Sequence, residues 1–233
     1  MPRGAYGEQV TEYAEVARAE SERGELVLRR RSEKNAADAL ELRVNGVFVM
    51  DTHETSTEIE LASAALQMVE HPRRVVVGGL GLGFTLQRVL ADLGVEEVRV
   101  VELEEALVRW MRDGAIPHGR EILADKRVQV VIGDISMVIA EAKSTYDLVL
   151  LDVDNGPGYL VHDGNAGVYE LEVIAGAHRM IDPGGALVVW SADPAPALHE
   201  VMGVVFGSCT EHAFDVTLGD RAEQYFLYSS QRR

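Results

Sequence analysis

The stretch Arg74-Val75-Val76-Val77-Gly78-Gly79-Leu80-Gly81-Leu82-Gly83-Phe84 decides the fold. A short run of β-branched residues bounded by glycine reads as a strand buried on both faces, which is the habit of a parallel sheet. The four glycines then let the backbone turn sharply into the helix that begins near Phe84 and approach a ligand closely. The spacing misses the dinucleotide fingerprint, because two and then three residues on from Gly79 or Gly81 comes Phe84 or Leu86, not glycine. A pyrophosphate cradle, and with it a nicotinamide oxidoreductase, is therefore disfavoured against a nucleoside ligand without phosphate.

The same rhythm continues outward. Val98–Val101, Val128–Ile132, Leu148–Leu151 and Ala186–Trp190 are further apolar runs. Helical spacing fits Phe84–Leu93, Glu104–Arg112, Ile135–Ala142, Tyr169–Met180 and Ala195–Phe206 between and after them. Two β-like stretches, Glu211–Val216 and Glu223–Tyr228, lie too close together for a crossover and predict an antiparallel pair. Upstream, Glu25–Arg31, Leu40–Val44 and Val47–Met50 read as strands, with Asn45-Gly46 as a tight hairpin signal, before a helix over Thr57–Val69. The expectation is an α/β protein with a doubly wound, mostly parallel, Rossmann-like sheet of seven strands. Residues 1–56 form an N-terminal β appendage and residues 57–233 the main domain.

Composition limits the partners. The chain has 233 residues, 47% of them apolar, and carries 22 Lys plus Arg against 38 Asp plus Glu, a net charge of −16. Such acidity repels phosphate backbones and favours a cationic small molecule over nucleic acid. No apolar window spans a membrane and the start lacks a signal-peptide core, so a cytoplasmic protein is expected. The single Cys209 agrees with a reducing compartment. No histidine pair shows metal-ligand spacing, and no metal is expected.

In an open parallel sheet, ligands bind beyond the carboxyl ends of the strands. Glu102 ends the second run, nineteen residues beyond Gly83, where a carboxylate can accept from both hydroxyls of a ribose. Gly133-Asp134-Ile135 ends the third; Asp134 there serves either an adenine amino group or the N-terminus of the next helix. The fourth ends in Asp152-Val153-Asp154-Asn155-Gly156-Pro157-Gly158-Tyr159. Two carboxylates so close repel unless a cation lies between them. His162 and Asp163 follow as candidates for a lid hinged at Gly158 and Gly164. His53 reads as a surface residue, and Trp110 and Trp190 as core.

Taken together, the glycine loop, Glu102, Gly133-Asp134, Tyr146-Asp147 leading to Asp152, and Asp182-Pro183-Gly184-Gly185 resemble class I S-adenosylmethionine-dependent transferases. More closely, the chain is similar to the spermidine synthase family of aminopropyltransferases, which shares the β appendage, the hairpin, the acidic turn, a following Gly-Pro and an aromatic such as Tyr169. The resemblance implies S-adenosylmethionine or its decarboxylated form as donor, and a small-molecule acceptor, a cationic amine among the options. It also implies a homodimer. It implies donor binding by Gly78, Gly79, Gly81, Gly83, Glu102, Leu103, Asp134, Ile135 and Asp152, with Asp152 and Asp154 catalytic. The chain also departs from the family pattern. The loop acid is absent, Leu80 and Leu82 stand in the loop, Val49 replaces a Gln and Thr57 a Tyr. Those groups serve the donor's amino end and the polyamine, so the expectation leans to methyl transfer. Aminopropyl transfer and non-catalytic adenosyl binding are the alternatives.

Overall fold

The computed structural model describes residues 11–34, 36–153, 156, 167–218 and 221–233. The run around Val76 forms β5 (Arg74–Gly78), at the centre of a seven-stranded sheet. It pairs in parallel with β6 (Glu97–Glu102) on one side and β8 (Tyr146–Leu151) on the other. β7 (Val128–Ile132) continues beyond β6, and β9 (Ile181–Ser191) beyond β8, both parallel. β11 (Arg221–Gln231) joins β9 antiparallel and β10 (Thr210–Leu218) closes that edge, giving the order β10-β11-β9-β8-β5-β6-β7. Strand order reverses at β5, so the crevice beyond its carboxyl end is where a ligand is expected.

Alternation along the central strands sends side chains to two cores. Val75 and Val77 face α1 (Ser56–Met68), α2 (Phe84–Leu90) and α3 (Glu105–Asp113), with Leu61, Leu86 and Trp110 in that layer. Val76 faces α5 (Ile135–Ala140), α6 (Leu171–Met180) and α7 (Pro196–Phe206), with Ile139, Ile174 and Met202. Among the described residues, no helix is long and apolar enough to cross a membrane.

An antiparallel sheet of four strands precedes this core: β1 (Thr11–Ser21), β2 (Gly24–Glu33), β3 (Ala39–Val44) and β4 (Val47–Asp51). Asn45 and Gly46 both have positive φ (51° and 78°), the hairpin geometry that this dipeptide favours. Leu26, Leu28 and Leu42 pack into the first core layer, so the sheet is continuous with the main domain's interior.

Three local expectations need correction. β1 carries no usable alternation, being mostly exposed on both faces; the ladder to β2 and the ion pairs of Arg18 with Glu15 and Glu25 hold it. α4 (Gly119–Leu123) is an additional short helix, lying so close to α3 that a Cβ on Gly119 would sit 2.6 Å from Met111 Cβ. β9 starts at Ile181, not Ala186, because its register against β8 slips between Tyr146 and Leu148 and absorbs Asp182-Pro183-Gly184-Gly185 as an irregularity.

Candidate active site

The glycine loop is shaped from behind. Gly79 has φ +94°, and a Cβ there would lie 2.0 Å from the carbonyl oxygen of Asp152, so only glycine lets the ends of β5 and β8 meet. Its N–H donates to Val101 O at 2.8 Å. At Gly81 a Cβ would strike Met50 Sδ at 2.7 Å, and Leu82 N lies 3.2 Å from the same sulfur, so β4 packs onto the loop. Leu80 and Leu82 are buried, 5% and 0% exposed, so they anchor the loop below rather than fill it. Gly79 and Gly81 line the cavity beyond the strand ends. Gly78 and Gly83 do not line it; each makes room for packing, the first against Ile135 and Leu151, the second against Met111 and Ile122.

Glu102 ends β6 with both oxygens held: Leu80 N donates to Oε2 at 2.8 Å and Glu104 N to Oε1 at 2.7 Å. Burial pushes its carboxyl up from the usual range, and the Glu104 and Leu80 N–H groups pull against that shift. Two oxygens accept up to about four hydrogen bonds, leaving lone pairs toward the cavity for a diol. Leu103 and Glu104 line the cavity beside it. Arg23, from the β1–β2 turn, donates to Glu104 Oε1 at 2.6 Å and to Leu103 O at 2.9 Å, so the front sheet grips this rim.

Asp134 caps α5: its Oδ1 accepts from Ser136 N at 2.7 Å. The helix-terminus role is thus filled by one oxygen, and Gly133, Asp134 and Ile135 all line the cavity.

Asp152 follows β8 and accepts from Thr85 Oγ1, on α2, at 2.7 Å. Burial pushes its carboxyl up to about 6, with the Thr85 hydrogen bond opposing. Glu58, at the start of α1, is pushed up to about 8 by burial and then by the negative charge of Asp152; its Oε2 accepts from Thr57 Oγ1 at 3.0 Å. Tyr169 donates its hydroxyl to Val153 O at 2.7 Å, holding the chain just past Asp152. Asp154, Pro157, Gly158, His162, Asp163 and Gly164 lie outside the described residues. His53 is exposed and absent from the lining, and its ring contacts Ala37 O.

The cavity holds about 140 Å³. Its charged lining is one-sided: seven carboxyl side chains, from Asp51, Glu54, Glu58, Glu102, Glu104, Asp134 and Asp152, and among the described residues no lysine, arginine or histidine. Val49 and Thr57 line it as well, from β4 and α1. Sequence reasoning missed Glu58 and Thr85. The available signal was spacing: Glu58 lies on the i, i+3, i+4, i+7 stripe with Leu61, Ala62 and Ala65, where a glutamate is out of place unless it serves a cavity. Trp110 is core, while Trp190, also buried, lines the cavity besides.

Fold and site define a class: a Rossmann-like sheet of the kind shared by spermidine synthases and methyltransferases, with its crevice at the ends of β5, β6, β7 and β8. Within it the chain belongs to the spermine/spermidine synthase domain family, whose model matches residues 46–216. It is 28% identical over 137 residues to polyamine aminopropyltransferase 2 of Hyperthermus butylicus, covering 56% of this chain and 43% of that protein. It is 27% identical over 169 residues to polyamine aminopropyltransferase 2 of Pseudomonas aeruginosa, covering 68% and 46%. It thus spans less than half the length of either relative. The spermidine synthase structure from Thermotoga maritima superposes with a TM-score of 0.76 at 15% identity, over 94% of this chain and 73% of that one. These relatives overturn the expectation of methyl transfer. The missing polar groups had argued for it, yet the cavity carries acids on α1 and before it, Glu58 and Glu54, that the loop comparison did not count.

Proposed function

We propose that this chain transfers an aminopropyl group from decarboxylated S-adenosylmethionine to an amine. The observation that carries this reading is the charge of the cavity, lined by seven carboxyl side chains and, among the described residues, by no basic one. Arg23 and Arg31 stand outside the lining and are engaged by Glu104 and Asp51, so a donor that kept its carboxylate would set an anion among acids with no basic lining residue to pair it, whereas the decarboxylated donor brings only ammonium and sulfonium. Family membership and the two named relatives support the same reading.

The donor supplies the electrophile: the amine nitrogen bonds to the methylene beside sulfur, the carbon–sulfur electron pair passes to sulfur, and a neutral thioether leaves. The chain's residues position and take one proton. Glu102 accepts from the ribose hydroxyls, and Ile135 and Leu103 offer aliphatic surface to the adenine. Asp152, titrating at about 6, is mostly ionised at neutral pH and accepts the proton that the amine sheds. Removing that proton from an alkylammonium at pH 7 costs about 4.6 kcal/mol, so a carboxylate at this point contributes substantially. Glu58, titrating at about 8, is mostly protonated in the free protein, and an arriving ammonium lowers its pKa and drives its proton out. The lone thiol, Cys209, supports a reducing, cytoplasmic setting.

The test compares both donors with an amine panel. Release of methylthioadenosine from the decarboxylated donor alone, with tighter calorimetric binding of that donor, is expected. Tighter binding of S-adenosylmethionine, or no thioether release with any amine, overturns the reading.

A further inference from the structure

The carboxyls of the cavity are not equally free. Glu104 is paired with Arg23 at 2.6 Å and Asp51 with Arg31 at 3.1 Å. Asp51 also turns Oδ1 to the N–H groups of His53 and Glu54, at 2.8 and 3.0 Å, and the half-buried Glu54 accepts through Oε1 from Ser56 N at 2.9 Å. Glu102 and Asp134 close β6 and β7, on the other side of β5 from Asp152, and the strand spacing sets the end of β7 about 14 Å from the end of β8. Two carboxyls remain on the β8 side: Asp152, which accepts from the Thr85 hydroxyl at 2.7 Å, and the buried Glu58, which accepts from the Thr57 hydroxyl at 3.0 Å. Among the described residues, neither has a cationic partner.

The first turn of α1 stands beside Asp152. Its helix packs on α2, β8 and β9, and the Glu58 carbonyl lies 3.4 Å from the same Thr85 hydroxyl that serves Asp152. After burial, the Asp152 charge is the main cause that raises the Glu58 carboxyl. The two therefore repel, and a cation held between them reverses that repulsion. Aminopropyl transfer brings two nitrogens to this place. One is the attacking amine; the other is the donor's own primary ammonium, three single bonds from the carbon under attack, or about 4 Å when extended. Attack in line with sulfur leaves the propyl chain to project sideways from that carbon, toward the wall that adjoins Asp152.

We infer that Glu58 binds the donor's ammonium and is thereby the residue that selects the decarboxylated donor. The inference rests on the aminopropyl reading above. A donor that kept its carboxylate would carry it on the same carbon as the ammonium, so one side chain attracts the first donor and repels the second.

Calorimetry with decarboxylated S-adenosylmethionine, S-adenosylmethionine and methylthioadenosine separates the roles, because the last keeps nucleoside and sulfur but has no ammonium. Glu58→Gln keeps the side chain's shape and its acceptor for Thr57. In that variant the decarboxylated donor is expected to bind at least about tenfold more weakly, as the loss of a hydrogen bond to a charged group implies, with methylthioadenosine within about threefold of native. The native preference for the decarboxylated donor over S-adenosylmethionine is expected to narrow by at least the same factor. Glu58→Asp, which keeps the charge at a shorter reach, is expected to weaken the decarboxylated donor less, and it carries the same comparison with methylthioadenosine should Glu58→Gln fail to fold. Equal weakening of all three ligands marks a structural role and overturns the inference. So does native donor affinity with a raised KM for the amine, which places the acceptor at Glu58. The underlying reading is tested separately on the native protein: it fails if no methylthioadenosine is released from the decarboxylated donor and an amine, whatever the variants bind.

Discussion

Thr85 Oγ1 lies 2.7 Å from Asp152 Oδ2, to which it donates, and 3.4 Å from the carbonyl oxygen of Glu58. One hydroxyl thus stands between the Asp152 carboxylate and the Glu58 main chain and serves the carboxylate. Removing it by Thr85→Val deletes a hydrogen bond to a charged group, worth about 1.5 to 3 kcal/mol. The Asp152 pKa then rises from about 6 by roughly one to two units. A pH–rate profile is expected to show its acid limb moved upward by that amount, with the plateau rate at high pH nearly kept. An unmoved acid limb would contradict the assignment of that limb to Asp152.

Asp152→Asn keeps the side chain's shape and the Thr85 contact but leaves nothing to take a proton. General-base removal typically costs about 10² to 10⁴ in rate. Single-turnover transfer should fall by that range, while methylthioadenosine binding, measured by calorimetry, stays within about threefold. Undiminished transfer would show that the fold binds the nucleoside without using this carboxylate.

Glu58 ties stability to pH. Burial pushes it up to about 8 in the folded chain, from the ordinary glutamate value of 4.5, so between those limits the native state holds more proton than the unfolded chain. Stability of the ligand-free protein is therefore greatest at the acid side of this window and falls as pH rises through about 8. One full proton of difference gives a slope of about 1.4 kcal/mol per pH unit. Urea unfolding from pH 5 to 9 measures it, and Glu58→Gln is expected to flatten the decline. A native profile that rises over pH 6 to 8 would exclude a buried protonated Glu58.

Two glycines with similar backbone angles separate strain from collision. Gly79 and Gly184 have φ of +94° and +87°, but a Cβ at Gly79 meets Asp152 O at 2.0 Å and one at Gly184 meets nothing within 4 Å. Gly184→Ala should cost about 1 to 2 kcal/mol, the left-handed penalty alone. Gly79→Ala should cost clearly more and abolish nucleoside binding, because the ends of β5 and β8 must part. Equal losses in urea unfolding would refute the contact.

Much of the fold was legible because its five central parallel strands announce themselves: Val75–Val77 and Leu148–Leu151 are apolar on both faces, as parallel burial demands. Glu102 and Asp152 were legible by position, as acids closing such runs. Thr85 and Glu58 were harder, since a polar residue on a helix reveals its direction only when the apolar stripe around it is followed turn by turn. The doubled role of Asp134, part helix cap and part cavity wall, rests on which oxygen does what, and no spacing encodes that. β1 left no periodic trace because neither of its faces is fully buried. Leu80 and Leu82, which set the loop apart from the family pattern, both turn down into the core, a direction their positions in the sequence do not reveal.

Met50 against the glycine loop and Arg23 over the Glu102–Glu104 rim change what the first forty described residues are for. They form part of the cavity's wall and rim, so the main sheet supplies the strand ends but not the whole container. A chain trimmed ahead of α1 would keep Asp152 but open the cavity wall beside it, and with less burial its carboxyl is expected to fall back toward the ordinary aspartate range.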